Sequence, residues 1–444
     1  MNEKKFYLHC AKCGYDIQDF GEWFDNTQKC PKCGSTIVDV KYNRDFNELK
    51  NIIFNNDKEP KNIWHYFDFL PLNNKENIIS RGEGVIPLER WSCLEKYAKD
   101  KYGISIKVNA YRNDLNPGTG TFKDVAAAVA ASVLKENGIK EYCIASTGNI
   151  ANAFAHYLAD AGISLAVFVP NDALKANEAE VNSYGQKLFR VNGDYAKAKE
   201  VAAAYSKKYN ILMSGGNTDP MRVEAKKTMV FEWLRQIGEV PNVYVQALSG
   251  GTGPIAIEKA FKELKDMNVI GDKLPRFIMV QPSGCAPMAH AWEDAKKTNF
   301  PEGWLTKYPV YENPQTKAPT LATGKPGTYP IIAKLVKDSN GEIIEFNEDY
   351  MIEVARAIAF ENTVRIGPAA AIAVGGFFES LHKGIIKEGD NVLLNIGEGI
   401  RRAPEFVEEM MYTTEHVDSV DDCQRFDREQ YRKQLWDKVY DIYK

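Results

Sequence analysis

Four cysteines near the start of the chain, Cys10, Cys13, Cys30 and Cys33, form the pattern C-x2-C-x16-C-x2-C. That spacing lies in the range of four-thiolate zinc sites. Each C-x2-C turn can aim two sulfurs at one ion. The glycine after each second cysteine, Gly14 or Gly34, permits the positive φ that closes such a turn. Four thiolates complete a tetrahedron and leave no open position, so the expected zinc is structural. A nucleic-acid ribbon would need a basic face. Residues 1–50 instead balance eight Lys/Arg with eight Asp/Glu, so phosphate attraction is weak. The ribbon is expected to pack on the main body.

A second group of chemically capable residues lies at glycine-rich turns. Asn116-Pro117-Gly118-Thr119-Gly120-Thr121-Phe122-Lys123-Asp124 delivers one lysine to the start of an alanine-rich helix. A lysine there sits at the positive end of the helix dipole, which favours the neutral amine that carbonyl chemistry needs. Alone, it would read as an ordinary surface lysine. Ser146-Thr147-Gly148-Asn149 follows an apolar strand and opens a helix, where N–H groups and hydroxyls suit a carboxylate or simply cap the helix. Ser249-Gly250-Gly251-Thr252-Gly253-Pro254 lets the backbone approach a phosphate, with Pro254 in the first helical turn. It is neither a Walker A loop nor GxGxxG. Gly397-Glu398-Gly399 ends another apolar strand. A reactive lysine, a carboxylate cradle, a phosphate cradle and a strand-end glycine turn are together the parts of a pyridoxal-phosphate (PLP) site.

The elements that must position these turns alternate. Strand-like runs cover 104–111, 142–146, 165–170, 187–191, 243–248, 277–281 and 392–396, with helix-like runs at 124–138, 149–162 and 195–209 between them. Short apolar strands alternating with helices predict an α/β protein whose parallel sheets are covered on both faces. Sites of such folds lie at strand C-termini. Residues 300–345 form the loop-rich exception.

TGTFKD, STGN, SGGTG and IGEG occur in the order found in the threonine-synthase-like group of fold-type-II PLP enzymes. The chain resembles that group over about residues 80–405. Gly82-Glu83-Gly84 with Pro87-Leu88, and the run Gly216 to Thr228, support the match. A cysteine cluster also occurs in some members. The resemblance implies two parallel-sheet subdomains, the smaller (about 125–235) inserted in the larger, within a catalytic domain of 46–444 that follows a zinc-ribbon-like knuckle at 1–45. It implies a covalent PLP link at Lys123. Asn149 would meet the ring hydroxyl, and Ser146, Thr147, Gly148 and Asn149 the substrate carboxylate. Gly250, Gly251, Thr252 and Gly253 would hold the cofactor phosphate.

One departure matters. Threonine synthases tend to carry Thr-Gly-His-Gly in the last motif, the threonine facing the pyridine nitrogen. Here Ile396-Gly397-Glu398-Gly399 stands instead, so Asn395, Glu398 or water would serve that nitrogen. The run Leu393 to Gly397 with Arg401-Arg402, Gln246-Ala247 before SGGTG, Gly271 to Pro275, and Ala291-Trp292-Glu293 look closer to cysteate synthases. Those enzymes exchange the phosphate of O-phosphoserine for sulfite. Threonine synthesis from O-phosphohomoserine, and a non-enzymatic PLP-fold protein, are the alternatives. The latter would be expected to lose Lys123. Because leaving group and nucleophile are both anions, a second cationic pocket is expected, from Arg112, Lys175, Arg222, Lys325 or Arg365. Arg112 is the leading candidate, with the Thr119 and Thr121 hydroxyls near it.

Composition bounds the rest. Among 444 residues, 56 Lys+Arg face 60 Asp+Glu, which does not suggest a nucleic-acid partner. No stretch approaches the roughly 18 apolar residues of a membrane span. The start lacks the long apolar core of a secretory signal. Eight cysteines, four of them clustered, indicate reduced thiols and a cytoplasmic protein. A homo-oligomer acting on a small amino-acid substrate and sulfite is expected.

Overall fold

The computed structural model describes residues 4–55, 58–146, 148–171, 173–400, 403–411, 413–423 and 425–444. In chain order the strands are β1 (Phe6–Cys10), β2 (Asp16–Ile17), β3 (Val38–Tyr42), β4 (Leu88–Arg90), β5 (Lys107–Tyr111), β6 (Glu141–Ala145), β7 (Ser164–Pro170), β8 (Lys187–Val191), β9 (Leu212–Met213), β10 (Val243–Ala247), β11 (Arg276–Pro282), β12 (Glu342–Phe346) and β13 (Asn391–Asn395).

Two compact units result. The first joins Met1–Pro87, Leu115–Val240 and Gly250–Leu274; the second joins Leu88–Asp114, Pro241–Ser249 and Pro275–Lys444.

The first unit holds two sheets. In the ribbon, β1 pairs antiparallel with β2 and β3, and its alternate residues Phe6, Leu8 and Cys10 are buried. The other sheet is parallel, in the order β8-β7-β6-β9. From Leu165 to Pro170, β7 is buried without alternation, as a strand covered on both faces must be. The alanine-rich helix Lys123–Glu136 is buried from Asp124 through Leu134, so its small residues are apolar all round. Helices Asn149–Asp160 and Pro220–Ile237 pack against it.

The second unit is built on the sheet β12-β11-β10-β13-β5-β4, parallel throughout except for the edge strand β4. Every residue of β13 is buried. Its core draws on Val243, Val245, Ile278, Val280, Val392 and Leu394. This is the fold-type-II α/β architecture with parallel sheets that the sequence predicts. Within the loop-rich stretch, however, residues Tyr329–Asp338 form a helix and β12 begins at Glu342. Tyr329, Ile332, Ala333, Leu335 and Val336 recur at helical spacing and are buried. The glycines and prolines just before them mask that period.

Candidate active site

The cysteine cluster forms as its spacing demands. The four sulfurs lie within 4.8 Å of one another, with Cys10–Cys33 at 3.6 Å and Cys13–Cys30 at 3.7 Å. A tetrahedron with Zn–S bonds of about 2.3 Å has edges of about 3.8 Å, so the donor set fits one metal ion. Gly14 and Gly34 take φ of +70° and +71°, and their N–H groups donate to the carbonyls of Cys10 and Cys30. The ribbon docks within the first unit through charge. Lys259 Nζ donates to Asp39, to the Val40 carbonyl at 2.9 Å and to Glu224 at 2.6 Å. Tyr42 donates to Glu224 at 2.7 Å, and Lys227 bridges Glu224 and Glu263 at 2.7 and 2.6 Å. The three carboxylates and two ammoniums of this buried network are all paired, the condition under which buried charge is tolerated.

The lysine turn is organised by its neighbour, Asp124. This fully buried carboxylate accepts from Gly118 N at 2.9 Å, Thr119 N at 2.8 Å and Thr119 Oγ1 at 2.7 Å. Thr119 gives its only proton to Asp124, so Thr121 donates to Thr119 at 2.7 Å; Thr121 in turn accepts from Lys123 N at 3.1 Å. A Cβ at residue 118 would lie 2.9 Å from Asp124 Oδ1, which is why glycine stands there. Burial pushes the Asp124 carboxyl up to about 6, partly opposed by the hydrogen bonds from Thr119 and Gly118. Lys123 itself is half-buried, its Nζ 3.7 Å from the Phe122 ring centroid.

Two helix starts near these motifs carry no side-chain cap. Gly148 precedes Asn149–Asp160 and Gly251 precedes Thr252–Asp266. Helix Pro220–Ile237, by contrast, is capped by Asp219, which accepts from Met221 N at 3.0 Å and Arg222 N at 3.4 Å. Uncapped N-termini suit anions. At the first start Ser146 and Asn149 are buried, Ser146 Oγ accepts from Gly148 N at 3.2 Å, and a Cβ on Gly148 would meet nothing within 4 Å. Thr147 lies outside the described residues. At the second, Gly251 has φ +89° and Thr252 Oγ1 donates to Asn217 Oδ1 at 2.9 Å. A Cβ on Gly250 would fall 2.1 Å from Asn217 Nδ2. An uncapped, glycine-rich helix start of this kind can take an anion such as a phosphate at its backbone N–H groups.

The second unit holds the last motif. Asn395 is buried; its Oδ1 accepts from Asn113 Nδ2 at 2.7 Å, and its Nδ2 has no hydrogen-bond partner among the described residues. Glu398 accepts from Ala369 N at 2.9 Å and from Thr320 Oγ1 at 3.2 Å, so its carboxylate braces neighbouring segments. Ile396 is fully buried. Arg112 is also in this unit. Its Nε and Nη2 donate to Asp114 at 2.8 Å each and its Nη1 to Glu89 at 2.6 Å, so two carboxylates already meet its charge. Thr119 belongs to the first unit and spends its hydroxyl proton on Asp124. Lys175, Lys325 and Arg365 are exposed, while Arg222 is buried.

The family model described as "pyridoxal-phosphate dependent enzyme" matches residues 79–397, and the chain belongs to that family. More particular relatives divide between two activities. The chain is 27% identical over 399 residues to the threonine synthase of Methanocaldococcus jannaschii, covering 88% of this chain and 92% of the relative. It is 25% identical over 410 residues to the cysteate synthase of Methanothrix thermoacetophila (90% and 92% covered). It is 29% identical over 353 residues to that of Methanococcoides burtonii (77% and 80%). Among solved structures, threonine deaminase isoform 2 of Solanum lycopersicum superposes with a TM-score of 0.60 at 17% identity, over 80% of this chain and 95% of that one, a likeness of fold. No helix among the described residues is long and apolar enough to cross a membrane.

Sequence reasoning passed over three residues of the first unit: Asp124, Asn217 and Lys226. The first two had signals, an acid directly after Lys123 and an asparagine in the Gly216–Thr218 turn.

Proposed function

We propose that this protein is a PLP-dependent β-replacement enzyme that converts O-phospho-L-serine and sulfite to L-cysteate and phosphate. The single observation that carries this reading is the end of β13. Where a threonine would serve the ring nitrogen in threonine synthases, the side chain is Ile396, and the adjacent side-chain donor is the buried amide of Asn395. An amide N–H is a neutral donor and suits an unprotonated pyridine nitrogen. Addition of sulfite after loss of a β-phosphate needs one deprotonation, at Cα. Threonine formation needs a second, at Cβ, and then water at that carbon. The similarity to two cysteate synthases supports the same choice.

The cofactor, when bound, supplies the electron sink. Lys123 would hold it and, once displaced by the substrate amine, take the Cα proton and later return it. The helix start at Ser146 to Asn149 would bind the substrate carboxylate, and Gly250 to Gly253 the cofactor phosphate. The Cβ–O bond breaks and phosphate leaves with its electron pair. The sulfur lone pair of sulfite then forms the Cβ–S bond. Zinc at Cys10, Cys13, Cys30 and Cys33 would be structural, its coordination complete with four thiolates.

Threonine synthesis is the second reading, favoured by the Methanocaldococcus jannaschii relative. One assay separates them: phosphoserine with sulfite against phosphohomoserine in water, reading phosphate and amino-acid product. Cysteate, with phosphate release strongly accelerated by sulfite, is expected. Stoichiometric threonine from phosphohomoserine overturns the assignment and leaves fold and Lys123 standing.

A further inference from the structure

Helix Pro220–Ile237 of the first unit carries two buried cations one turn apart, Arg222 (7% exposed) and Lys226 (1%). Lys226 Nζ lies 5.5 Å from the centroid of the Phe122 ring, which Lys123 Nζ approaches to 3.7 Å. Among the described residues Lys226 has no hydrogen bond and no carboxylate within ion-pair distance, and the Nε of Arg222 has no partner. Asp219 is the acid that acts on both, and its oxygens are held by the N–H groups of Gly215, Met221 and Arg222.

Other buried lysines of the same unit show what a structural role looks like. Lys5 donates to the carbonyls of Phe67 and Leu72, and Lys227 bridges Glu224 and Glu263. Lys226 does neither. Like charges at i and i+4 repel, and cations in the first turns of a helix oppose its dipole. Asp219 offsets these costs only in part, with no ion pair to either side chain among the described residues, so the pair is organised for something that arrives negative.

The glycine cradle at Gly250 to Gly253 already accounts for the cofactor's phosphate. We propose that Lys226 holds the second oxyanion of the reaction, the phosphate that leaves Cβ and then the sulfite that replaces it, with Arg222 beside it. This rests on the β-replacement reading and makes Lys226 the residue that selects a dianionic leaving group. Burial, Arg222 and Lys123 all push the Lys226 amine well below its ordinary value, with Asp219 opposing. Arg222 in turn faces Asp219, Tyr142 and Tyr195. An anion that enters beside it favours the protonated form, so binding is expected to draw in a proton.

The test uses the holoenzyme, whose own cofactor fills the glycine cradle, and sulfate as an unreactive dianion. Calorimetry in buffers of different ionisation enthalpy reads both affinity and proton uptake. Lys226→Gln should weaken sulfate about 10–100-fold, the scale of one charge-assisted hydrogen bond, and abolish most of the uptake. Lys226→Arg should keep the affinity and lose the uptake, because guanidinium stays charged. Lys207→Gln, an exposed lysine of the same unit, should change neither. Unchanged sulfate affinity in Lys226→Gln, or uptake that survives in Lys226→Arg, overturns the proposal. If sulfate binding depends on Lys226 but phosphoserine and sulfite yield no cysteate, the oxyanion site stands and the substrate reading falls. If Lys226→Gln does not fold, the Lys226→Arg uptake decides alone.

Discussion

Two parts of the first unit treat buried charge in opposite ways. Around the ribbon, Asp39, Glu224, Glu263, Lys227 and Lys259 pair completely, and four cysteines close on one point. Around the lysine turn, two helix starts go uncapped, Asp124 is buried with only neutral donors, and neither Arg222 nor Lys226 makes an ion pair among the described residues. Satisfied groups hold a structure; groups left short of partners wait for a ligand. Substitutions in the two regions should therefore separate stability from chemistry.

The largest separation is expected from Lys123→Ala. Turnover should fall by about 10²–10⁴-fold or more from loss of the base alone, and the visible absorbance of the covalently linked cofactor should vanish. Urea midpoints should barely move, since Lys123 is only half-buried. Retained absorbance and turnover would refute the assignment. The mirror experiment is Cys30→Ser. Metal analysis should find about one zinc per wild-type chain and almost none in the variant, with local stability lowered by several kcal/mol. The kcat of whatever folded enzyme remains should change far less than in Lys123→Ala. A chain purified without zinc, or with iron–sulfur colour, would count against the site.

A smaller effect follows from Asp124, with a definite sign. Its folded pKa, about 6, lies above the ordinary carboxylate value, so its contribution to stability is present below pH 4 and is lost as pH rises through 6. Relative to Asp124→Asn, the wild type should lose up to about 3 kcal/mol between pH 4 and 7, read from denaturation curves at each pH. A constant difference across that range would show that Asp124 ionises normally. The smallest effect is Gly250→Ala. Its new methyl must displace the Asn217 amide, and cofactor affinity should weaken by about tenfold, the loss of one ordinary hydrogen bond. Unchanged affinity would detach Gly250 from the cradle.

The strands were legible because buried parallel strands read as unbroken apolar runs; β7 falls at Ser164–Pro170 as its pattern indicates. The lysine turn was legible because Gly, Pro and Thr concentrate where the backbone must curl. Lys226 was not. Beside Lys227 it reads as a solvated pair, and only the packing of helix Pro220–Ile237 reveals both as buried. The partners of Arg112 were hidden for a related reason. Glu89, on β4, reaches it across 23 residues, which no local spacing announces. Charge partners depend on tertiary distance, whereas turns and periodicity are local.

The docking of the ribbon also has a consequence for synthesis. Asp39 is made 220 residues before Lys259, and Tyr42 precedes Glu224 by 182. At about 5–20 residues per second, the ribbon waits about 10–40 s after emerging from the ribosome before its partners exist. Early in that interval its inward aromatic residues, among them Phe6, Phe20 and Trp23, also lack the later segments of their core, such as Trp64 and helix Lys123–Glu136. A metal captured early would keep this small piece folded and out of reach of proteases until the helices arrive. Cellular yield of the enzyme should then track zinc supply during translation more closely than zinc supply afterwards.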